Sequence, residues 1–260
     1  MKIIYGFLLL CIGLVGCKDK NDPIDMLGKA PILSQIKTNG KLQTEFIYNA
    51  ENKLIEIRKY FDDGTNIWES RRYEYNKDKV VKSEFWSSHP LYLSSWPAPG
   101  KPLTLQSVTV YEYSSSQNQP AKELNYAADG KQLLSYTVHA YTLTGRKIKS
   151  QTFAAEGRET FTQTYEYDSR GNLSNWATSY WEYDTHANPL QNLQVPYSDP
   201  SWVSPNNATE NFGKDANGKK TNVWRYEYTY TGWDFPLTMK TFIGGKLMGQ
   251  SEFSYREWVR

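Results

Sequence analysis

The chain has 260 residues, of which 39% are hydrophobic and 15% aromatic, with 20 Tyr and 9 Trp. This supply of aliphatic side chains is lean, so the composition indicates burial by aromatic rings that cover the faces of sheets. The net charge is only +2 with both signs interspersed, which excludes the basic surface typical of nucleic-acid-binding proteins. A single all-β domain of this length is ordinary.

The first 16 residues have the pattern of a signal peptide. Lys2 gives a short positive start, and residues 3–15 form an apolar run that is too short for a membrane span. The end of this run, Leu14-Val15-Gly16-Cys17, resembles the lipobox of bacterial lipoproteins. The resemblance implies cleavage before Cys17 and attachment of a lipid to its sulfur. The alternative is an ordinary secretory signal in which this Cys is incidental.

Cys17 is the only cysteine expected in the mature chain, because Cys11 lies in the segment that is removed. An exported chain with a single Cys has no internal disulfide, and lipidation explains why one unpaired Cys is present. Residues 17–30 are charged and contain Gly and Pro, which predicts a flexible tether, and residues 31–260 are predicted to form one domain. We expect an outer-membrane lipoprotein, on the periplasmic face or the cell surface, with the membrane as a partner through Cys17.

An aromatic-x-Tyr motif recurs along residues 31–260, mostly at intervals near 27 residues. Its second Tyr stands at Tyr48, Tyr75, Tyr113, Tyr141, Tyr167, Tyr183, Tyr228 and Tyr255. A unit of this length suits two strands of about ten residues with a turn at each end. The repeat therefore predicts an all-β fold, an elongated antiparallel meander of hairpins that forms a twisted or curled sheet with little helix.

The motif also predicts which face of the sheet is buried. Successive strand residues point to opposite faces, so the two aromatic residues share one face and the residue between them, usually Glu, takes the other. We expect a buried aromatic face and a solvated face, on which Glu166 and its equivalents pair with lysines such as Lys82 and Lys147. His139 takes the aromatic place in one copy, which favours a structural role.

The best-preserved copy, residues 165–173, reads YEYDSRGNL. Asp168 is suited to accept hydrogen bonds from backbone amides further on, and Gly171 to take the positive φ of a hairpin turn. Asp184 stands at the same place in the next copy. These three residues are predicted to be structural. An acid/base pair of Asp168 and Asp184 is the catalytic alternative, but the turn explains each of them.

The pattern Tyr-Asp-x-x-Gly-x-Leu at Tyr167–Leu173 resembles the YD repeat of RHS-type proteins. The repeats of that family form long antiparallel sheets that curl into a shell. Copies at residues 48–54 and from residue 141 match more loosely, and the variant at residues 183–190 resembles repeats in uncharacterised Bacteroidetes lipoproteins. The resemblance implies an exported β-sheet protein and no particular activity.

Two long segments rich in Pro interrupt the hairpins, at residues 87–102 and 185–221. Long loops in compact domains are often functional, so these segments are candidate binding surfaces; the alternative is that they plug one end of the sheet. Trp96, Trp202 and Trp233 are the candidate ligand-binding residues. His89, His139 and His186 lack metal-ligand spacing, and no motif for a cofactor or a catalytic nucleophile is present, so none of these is predicted.

Three functions remain open. The first is a lipid-anchored interaction or scaffold protein of the cell envelope without catalysis, with an envelope protein as its partner. The second is a glycan-binding lipoprotein that stacks sugar rings on aromatic side chains, including Trp68. The third is a hydrolase with an unrecognised carboxylate site, which would require two carboxylates that converge in a pocket.

Replacing Cys17 with Ala should release the protein from membranes, because the lipid has no other attachment point in the predicted mature chain. The measurement is the fraction of protein in the detergent-rich phase after phase partitioning of cell extracts. Cys11→Ala, in the segment predicted to be removed, is the matched control and should leave that fraction unchanged. Membrane partitioning that survives the change at Cys17 would contradict the lipoprotein prediction.

Overall fold

The structure, a computed structural model, describes residues 31–89, 99–114, 118–193, 195–196 and 204–257. The predicted signal peptide, the tether and Cys17 lie outside these ranges. None of the helical residues described belongs to a helix that is long and apolar enough to cross a membrane. The strands, in chain order, are β1 (Ile32–Thr38), β2 (Lys41–Tyr48), β3 (Leu54–Tyr60), β4 (Ile67–Asn76), β5 (Lys79–Ser87), β6 (Thr104–Tyr113), β7 (Pro120–Ala127), β8 (Leu133–Tyr141), β9 (Lys147–Ala154), β10 (Glu159–Thr164), β11 (Glu166–Tyr167), β12 (Leu173–Trp176), β13 (Ser179–Ala187), β14 (Asn206–Lys214), β15 (Lys220–Tyr230), β16 (Pro236–Ile243) and β17 (Lys246–Arg256).

All strands belong to one antiparallel sheet that nearly closes on itself. Consecutive strands pair along the chain, and β1 pairs with both β2 and β17. The β1–β17 pairing runs from Ile32 opposite Arg256 to Thr38 opposite Ser251. β10 and β11 are two parts of one strand: β10 pairs with β9, and β11 pairs with β12. Since β12 has only four residues, a gap remains beside β10 in the described part of the sheet. The predicted all-β antiparallel meander is confirmed, and its closure adds a long-range contact.

The inner face of the sheet carries the hydrophobic core. Phe46 lies opposite Ile57 in the β2–β3 pair, and both side chains are buried. They belong to a cluster that also contains Leu33, Leu54, Tyr73, Val80, Tyr111 and Leu193. The first aromatic residue of the motif is thus inside, as the alternation of strand side chains predicts.

The outer face carries ion pairs. Lys82 Nζ lies 2.8 Å from Glu74 and 2.9 Å from Glu84, while Lys220 contacts Glu182 at 2.6 Å. Exposed pairs of this kind each contribute less than about 1 kcal/mol, so they fix register and solubility more than stability. The predicted outward pairing of Lys147 is wrong: its ammonium lies 6.0 Å from the ring centre of Tyr165 on the inner face. The reason is its place in the repeat, since Lys147 lies opposite Tyr141 where Leu54 and Leu173 lie opposite the tyrosines of other copies.

All the motif turns lie at one end of the sheet, which we call the motif end. There the hydroxyl of the second motif Tyr donates a hydrogen bond to a backbone carbonyl on the preceding strand, at 2.6–2.9 Å in all eight copies. The eight bonds are Tyr48 to Leu33, Tyr75 to Leu54, Tyr113 to Val80, Tyr141 to Pro120, Tyr167 to Lys147, Tyr183 to Leu173, Tyr228 to Ala208 and Tyr255 to Pro236. We call this arrangement the tyrosine ring.

The hydroxyls of the tyrosine ring remain protonated over the physiological range. Burial raises the pKa of Tyr113, Tyr167 and Tyr183 to about 12. A protonated phenol keeps its donor, so these bonds to carbonyls persist at neutral pH. The ring therefore links every hairpin to its neighbour independently of pH over this range.

Tyr75→Phe should lower the free energy of unfolding by about 1 kcal/mol, because it removes one bond of the tyrosine ring and keeps the aromatic contact. For a domain of this size the melting temperature should fall by about 2–4 °C. Tyr136→Phe is the matched control: Tyr136 stacks on Phe153, and its hydroxyl has no hydrogen-bond partner within the described residues. Equal losses for the two variants in urea unfolding would refute a specific role for the ring.

Candidate functional site

The turn after Tyr167 shows how the motif end is built. The backbone amide of Asp168 donates to the carbonyl of Asn172 at 2.8 Å, and that of Gly171 to the carbonyl of Asp168 at 3.0 Å. The Asp168 carboxylate accepts from the amides of Arg170 and Asn172 at 2.9 and 2.8 Å. Burial would raise the pKa of Asp168, but these hydrogen bonds hold it below its usual value. Gly171 has a φ of +91°.

Other copies of the motif use the same turn. Asn49 replaces Asp168, with its side-chain oxygen accepting from the amides of Glu51 and Lys53, and Asn52 takes the left-handed place with φ +60°. Asn is the non-Gly residue that tolerates this conformation best. The turn between β4 and β5 differs: it has only two residues, Lys77 and Asp78, and Lys77 has φ +55°.

Asp184 makes the corresponding bonds across an insertion. Its carboxylate accepts from the amide of His186 at 3.0 Å and from the amide of Asn207 at 3.1 Å. Asn207 thus takes the place that Asn172 has in the turn of Asp168, although residues 189–205 lie between. The ends of the insertion meet where the amide of Asn188 donates to the carbonyl of Pro205 at 2.9 Å.

The insertion folds back onto the core at the motif end. Its 3₁₀ helix, Pro189–Leu193, buries Leu193 to 5% exposure within the core cluster, and Leu190 and Val195 pack against that cluster. The described part of this segment therefore acts as a plug, the alternative that the sequence left open. The prediction of a loop over residues 185–221 is wrong in its second half, because Asn206–Lys214 pairs as strand β14.

The structure describes one of the three candidate tryptophans, Trp233. Trp233 lies on the β15–β16 turn with 46% of its surface exposed, next to Asp234, whose carboxylate contacts His186 Nδ1 at 2.5 Å. Trp96 and Trp202 lie outside the described residues. Trp68 is a residue of β4, where the ammonium of Lys59 lies 5.5 Å from its ring centre.

A cleft of about 1240 Å³ opens at the motif end, between the turns of four successive hairpins and the plug. Its wall is formed by Asn76, Lys77, Asp78, Lys79, Val81, Tyr113, Asn118, Gln119, Pro120, Glu123, Tyr141, Thr144, Gly145, Arg146, Lys147, Tyr167, Arg170, Gly171, Leu190, Gln191, Val195, Pro196 and Pro205. We call this space the motif-end cleft.

Two cations of the motif-end cleft lie over the aromatic side chains of tyrosines that belong to the tyrosine ring. Lys79 Nζ is 4.8 Å from the ring centre of Tyr113, and the Arg146 guanidinium is 5.9 Å from that of Tyr167. Lys79 directly precedes Val80, whose carbonyl accepts the hydroxyl of Tyr113. Arg146 directly precedes Lys147, whose carbonyl accepts the hydroxyl of Tyr167. The repeat thus places a cation over its tyrosine by a fixed offset. Cation–π contact at exposed sites contributes about 0.5–1 kcal/mol.

Gly171 provides room for one of these cations. A Cβ at this position would lie 2.5 Å from Nη2 of Arg146. The absence of a side chain therefore permits both the positive φ of the turn and the position of the Arg146 guanidinium across the neighbouring hairpin.

A chain of hydrogen bonds lies at the inner end of the motif-end cleft. His139 Nε2 is 3.0 Å from Glu123 Oε1, His139 Nδ1 is 2.8 Å from Ser150 Oγ, and Ser150 Oγ is 3.1 Å from the hydroxyl of Tyr165. A neutral imidazole that donates to Glu123 and accepts from Ser150 satisfies every contact. The His139 side chain is only 4% exposed, whereas that of Glu123 is 24% exposed.

The charges of Glu123 and Lys147 depend on each other. Burial would raise the pKa of Glu123, but the hydrogen bond from His139 and the charge of Lys147 outweigh it and hold the pKa below its usual value. Burial lowers the pKa of Lys147, against the opposing effect of Glu123. The ionised carboxylate at the inner end of the cleft is therefore compensated by its neighbours.

In the part of the chain that the structure describes, no group of three or more His, Cys, Asp or Glu residues is placed to hold a metal ion. The motif-end cleft contains two carboxylates, and each has a partner: Asp78 pairs with Lys53 at 3.0 Å, and Glu123 with His139.

Sequence reasoning missed Glu123 and Lys147 as cleft residues. A signal for Glu123 was present, since His139 stands in an aromatic place that faces inward, and a buried imidazole requires a polar partner. A signal for Lys147 was also present: it stands six residues after Tyr141, as Leu54 follows Tyr48 and Leu173 follows Tyr167, so the motif places its side chain inside.

No family model matches the sequence, and the search of curated proteins finds no match. A solved structure of a porin-like protein from Bacteroides uniformis matches with 11% identity and a TM-score of 0.53, over 86% of this chain and 98% of that one. A porin-like protein from Bacteroides vulgatus matches with 13% identity and a TM-score of 0.40, over 87% and 99%. The first likeness shows the fold alone. The resemblance to YD repeats and to lipoproteins stays a prediction.

Gly171→Ala should destabilise the chain more than Gly145→Ala, which is its matched control. Both residues have positive φ, at +91° and +81°, but a Cβ at Gly145 meets no described atom within 4 Å. We expect a loss of about 1 kcal/mol for each variant from backbone strain, and about 0.5–1 kcal/mol more for Gly171→Ala, because its Cβ moves the exposed end of Arg146 off the ring of Tyr167.

Urea unfolding measures both losses, and Arg146→Ala should cost less stability in the Gly171→Ala background than in the unchanged chain, because the contact with Tyr167 is already lost there. Equal losses for the two glycine variants, or an equal cost of Arg146→Ala in both backgrounds, would contradict this role of Arg146.

Proposed function

We propose that this chain is a non-catalytic binding protein of the bacterial cell envelope that holds its ligand in the motif-end cleft. The observation that carries the proposal is the cleft itself, which four successive hairpin turns and the plug enclose. Ligand sites in proteins are concave and few, with a small number of placed polar groups. This cleft has that form at the end of the sheet where the repeat is interrupted.

The rigidity of the motif end supports a binding role. Its turns are held by side-chain caps such as that of Asp168, and the strands beneath them are joined by the tyrosine ring. A site on a rigid frame loses little conformational freedom when a ligand binds, which favours affinity. The buried Leu193 fixes the plug that forms one wall.

The proposed location rests on the sequence from Leu14 to Cys17, which resembles a lipobox, and agrees with the fold likeness to a porin-like protein from Bacteroides. Strands that cross a bilayer present an apolar band to lipid. The outer face of this sheet instead mixes ion pairs, such as Lys82 with Glu74 and Lys220 with Glu182, with exposed apolar side chains such as Val138. We therefore propose that the lipid at Cys17 attaches the protein to the membrane while the outer face contacts water.

A hydrolase is the second candidate, because Ser150, His139 and Glu123 form a continuous hydrogen-bonded chain. A nucleophilic serine needs an adjacent base and access to the reacting carbon. The Ser150 residue is only 6% exposed, and the His139 side chain 4%. This burial favours the structural explanation, in which the chain orients the carboxylate of Glu123 toward the cleft.

A photo-crosslinking amino acid at Thr144 should capture the partner of the cleft in intact cells. Thr144 is exposed, lies on the β8–β9 turn and lines the cleft. The matched control is Asn217, which is exposed on the β14–β15 turn at the opposite end of the sheet. We expect a ligand or envelope component to be attached at Thr144 and not at Asn217, as measured by mass spectrometry of the purified protein.

Equal capture at the two positions would show that the cleft is not the binding site. If neither position captures anything and Ser150 reacts with a fluorophosphonate probe, the binding proposal fails and the hydrolase alternative is favoured.

A further inference from the structure

We infer that the ligand of the motif-end cleft is an acidic oligosaccharide, a sugar chain that carries carboxylate or sulfate groups. This inference rests on the proposed function, because it names the ligand class of the same site. It follows from the charge of the cleft, from the position of its cations, and from the polar and apolar groups of its wall.

The charge of the cleft is unbalanced. Its wall contains five basic residues, Lys77, Lys79, Arg146, Lys147 and Arg170, against two carboxylates, Asp78 and Glu123. Both carboxylates are compensated, Asp78 by Lys53 from outside the wall and Glu123 by its neighbours within. Among the cations, Arg170 is likewise compensated from outside the wall, by Asp168 at 3.6 Å. Arg146 has no acidic partner among the described residues. A ligand with negative groups therefore supplies the charge that the wall lacks.

Lys79 and Arg146 are placed before a ligand arrives. Each lies on the face of a ring that is itself fixed by a hydroxyl–carbonyl bond, Tyr113 under Lys79 and Tyr167 under Arg146. Gly171 leaves the space that the Arg146 guanidinium fills. Ordering a long side chain on binding costs conformational entropy, and much of this cost is already met here.

The rest of the wall suits a chain of sugars. Amide and hydroxyl side chains that bond to sugar hydroxyls are supplied by Asn76, Asn118, Gln119, Thr144 and Gln191. Leu190, Val195 and Pro196 from the plug add an apolar strip on the same wall. A sugar ring has polar edges and apolar faces. The mixture of polar and apolar groups in the wall therefore suits a sugar ring better than it suits a uniformly charged ligand.

A nucleic acid strand fits the cleft less well. Proteins that bind single strands stack successive bases on aromatic faces. In this cleft the faces of Tyr113 and Tyr167 are covered by Lys79 and Arg146, and their hydroxyls are engaged with carbonyls. The cleft thus offers fixed charges in place of stacking surfaces.

Glu123 has a positioning role in this site. Its carboxylate is 24% exposed and held by His139, so it accepts hydrogen bonds from sugar hydroxyls at the inner end of the cleft. The neighbouring Lys147 compensates its charge, which limits repulsion of an acidic ligand. The acidic groups of the ligand then lie toward Lys79 and Arg146 on the turns.

Isothermal titration calorimetry of the folded chain tests the inference with matched ligands. The probes are a galacturonate tetrasaccharide, its fully methyl-esterified neutral form, and a chondroitin sulfate tetrasaccharide. We expect an acidic probe to bind and the neutral form to bind at least tenfold more weakly. The acidic probe that binds with the higher affinity shows whether the cleft prefers carboxylate or sulfate groups. The affinity for the acidic probe should fall as salt is added.

Arg146→Gln and Lys79→Gln should each weaken binding of the acidic probe about tenfold, the loss expected for one charge-assisted contact of about 1.4 kcal/mol. Arg256→Gln is the matched control: Arg256 also lies on a motif tyrosine, 4.6 Å from the ring centre of Tyr48, but it does not line the cleft. This variant should change the affinity less than twofold.

Other outcomes separate the inference from the proposed function. Equal binding of the acidic and neutral probes overturns charge recognition and leaves a glycan-binding cleft. Equal binding of a single-stranded oligonucleotide overturns selectivity for sugars. If no tetrasaccharide binds while Thr144 captures an envelope protein, the inference fails and the proposed function stands. If no tetrasaccharide binds and Thr144 captures nothing, both fail.

Discussion

The hydrogen bond from a motif tyrosine to the carbonyl of the preceding strand is the interaction on which the motif end depends. It occurs in all eight copies, with donor–acceptor distances of 2.6–2.9 Å. Each bond fixes a ring against the backbone, and in four copies the residue before the acceptor carbonyl lies over that ring. Where this residue is Lys79 or Arg146, the repeat places a charge in the cleft. Where it is Phe235, the ring of Tyr255 gains a stacked aromatic neighbour instead.

The same geometry explains how the sheet accommodates an insertion. A capping carboxylate needs two amides at the correct separation in space, whatever the length of chain between them. Asp184 receives these amides from His186 and Asn207, so residues 189–205 leave the turn and return to it without loss of the cap. The insertion buries Leu193 in the core and adds a wall to the cleft. The repeated hairpins thus form the sheet, and the insertion that interrupts them forms part of the wall of the cleft.

Much of the fold could be predicted from the sequence, because its causes are local. Alternation along a strand decides that Phe46 and Tyr73 face inward and Glu74 outward, and Gly171 marks a residue with positive φ. The closure by β1 and β17 depends on contacts between distant segments, which no single segment encodes. The cleft could not be predicted for the same reason: its wall combines residues from four turns and a plug, whose proximity exists only once the sheet has curved.

The buried polar chain of Glu123, His139, Ser150 and Tyr165 stands apart from this frame, since an apolar inner face would be the simpler solution. Buried polar groups stabilise little unless each is satisfied, and here each has a partner. Ser150 and the side chain of His139 are buried, whereas Tyr165 and Glu123 are half-buried, and of the four Glu123 is the member that lines the cleft. The network gives that carboxylate a fixed direction and a fixed charge. A purely structural network would have no reason to end at the cleft, and this favours a ligand that the carboxylate orients.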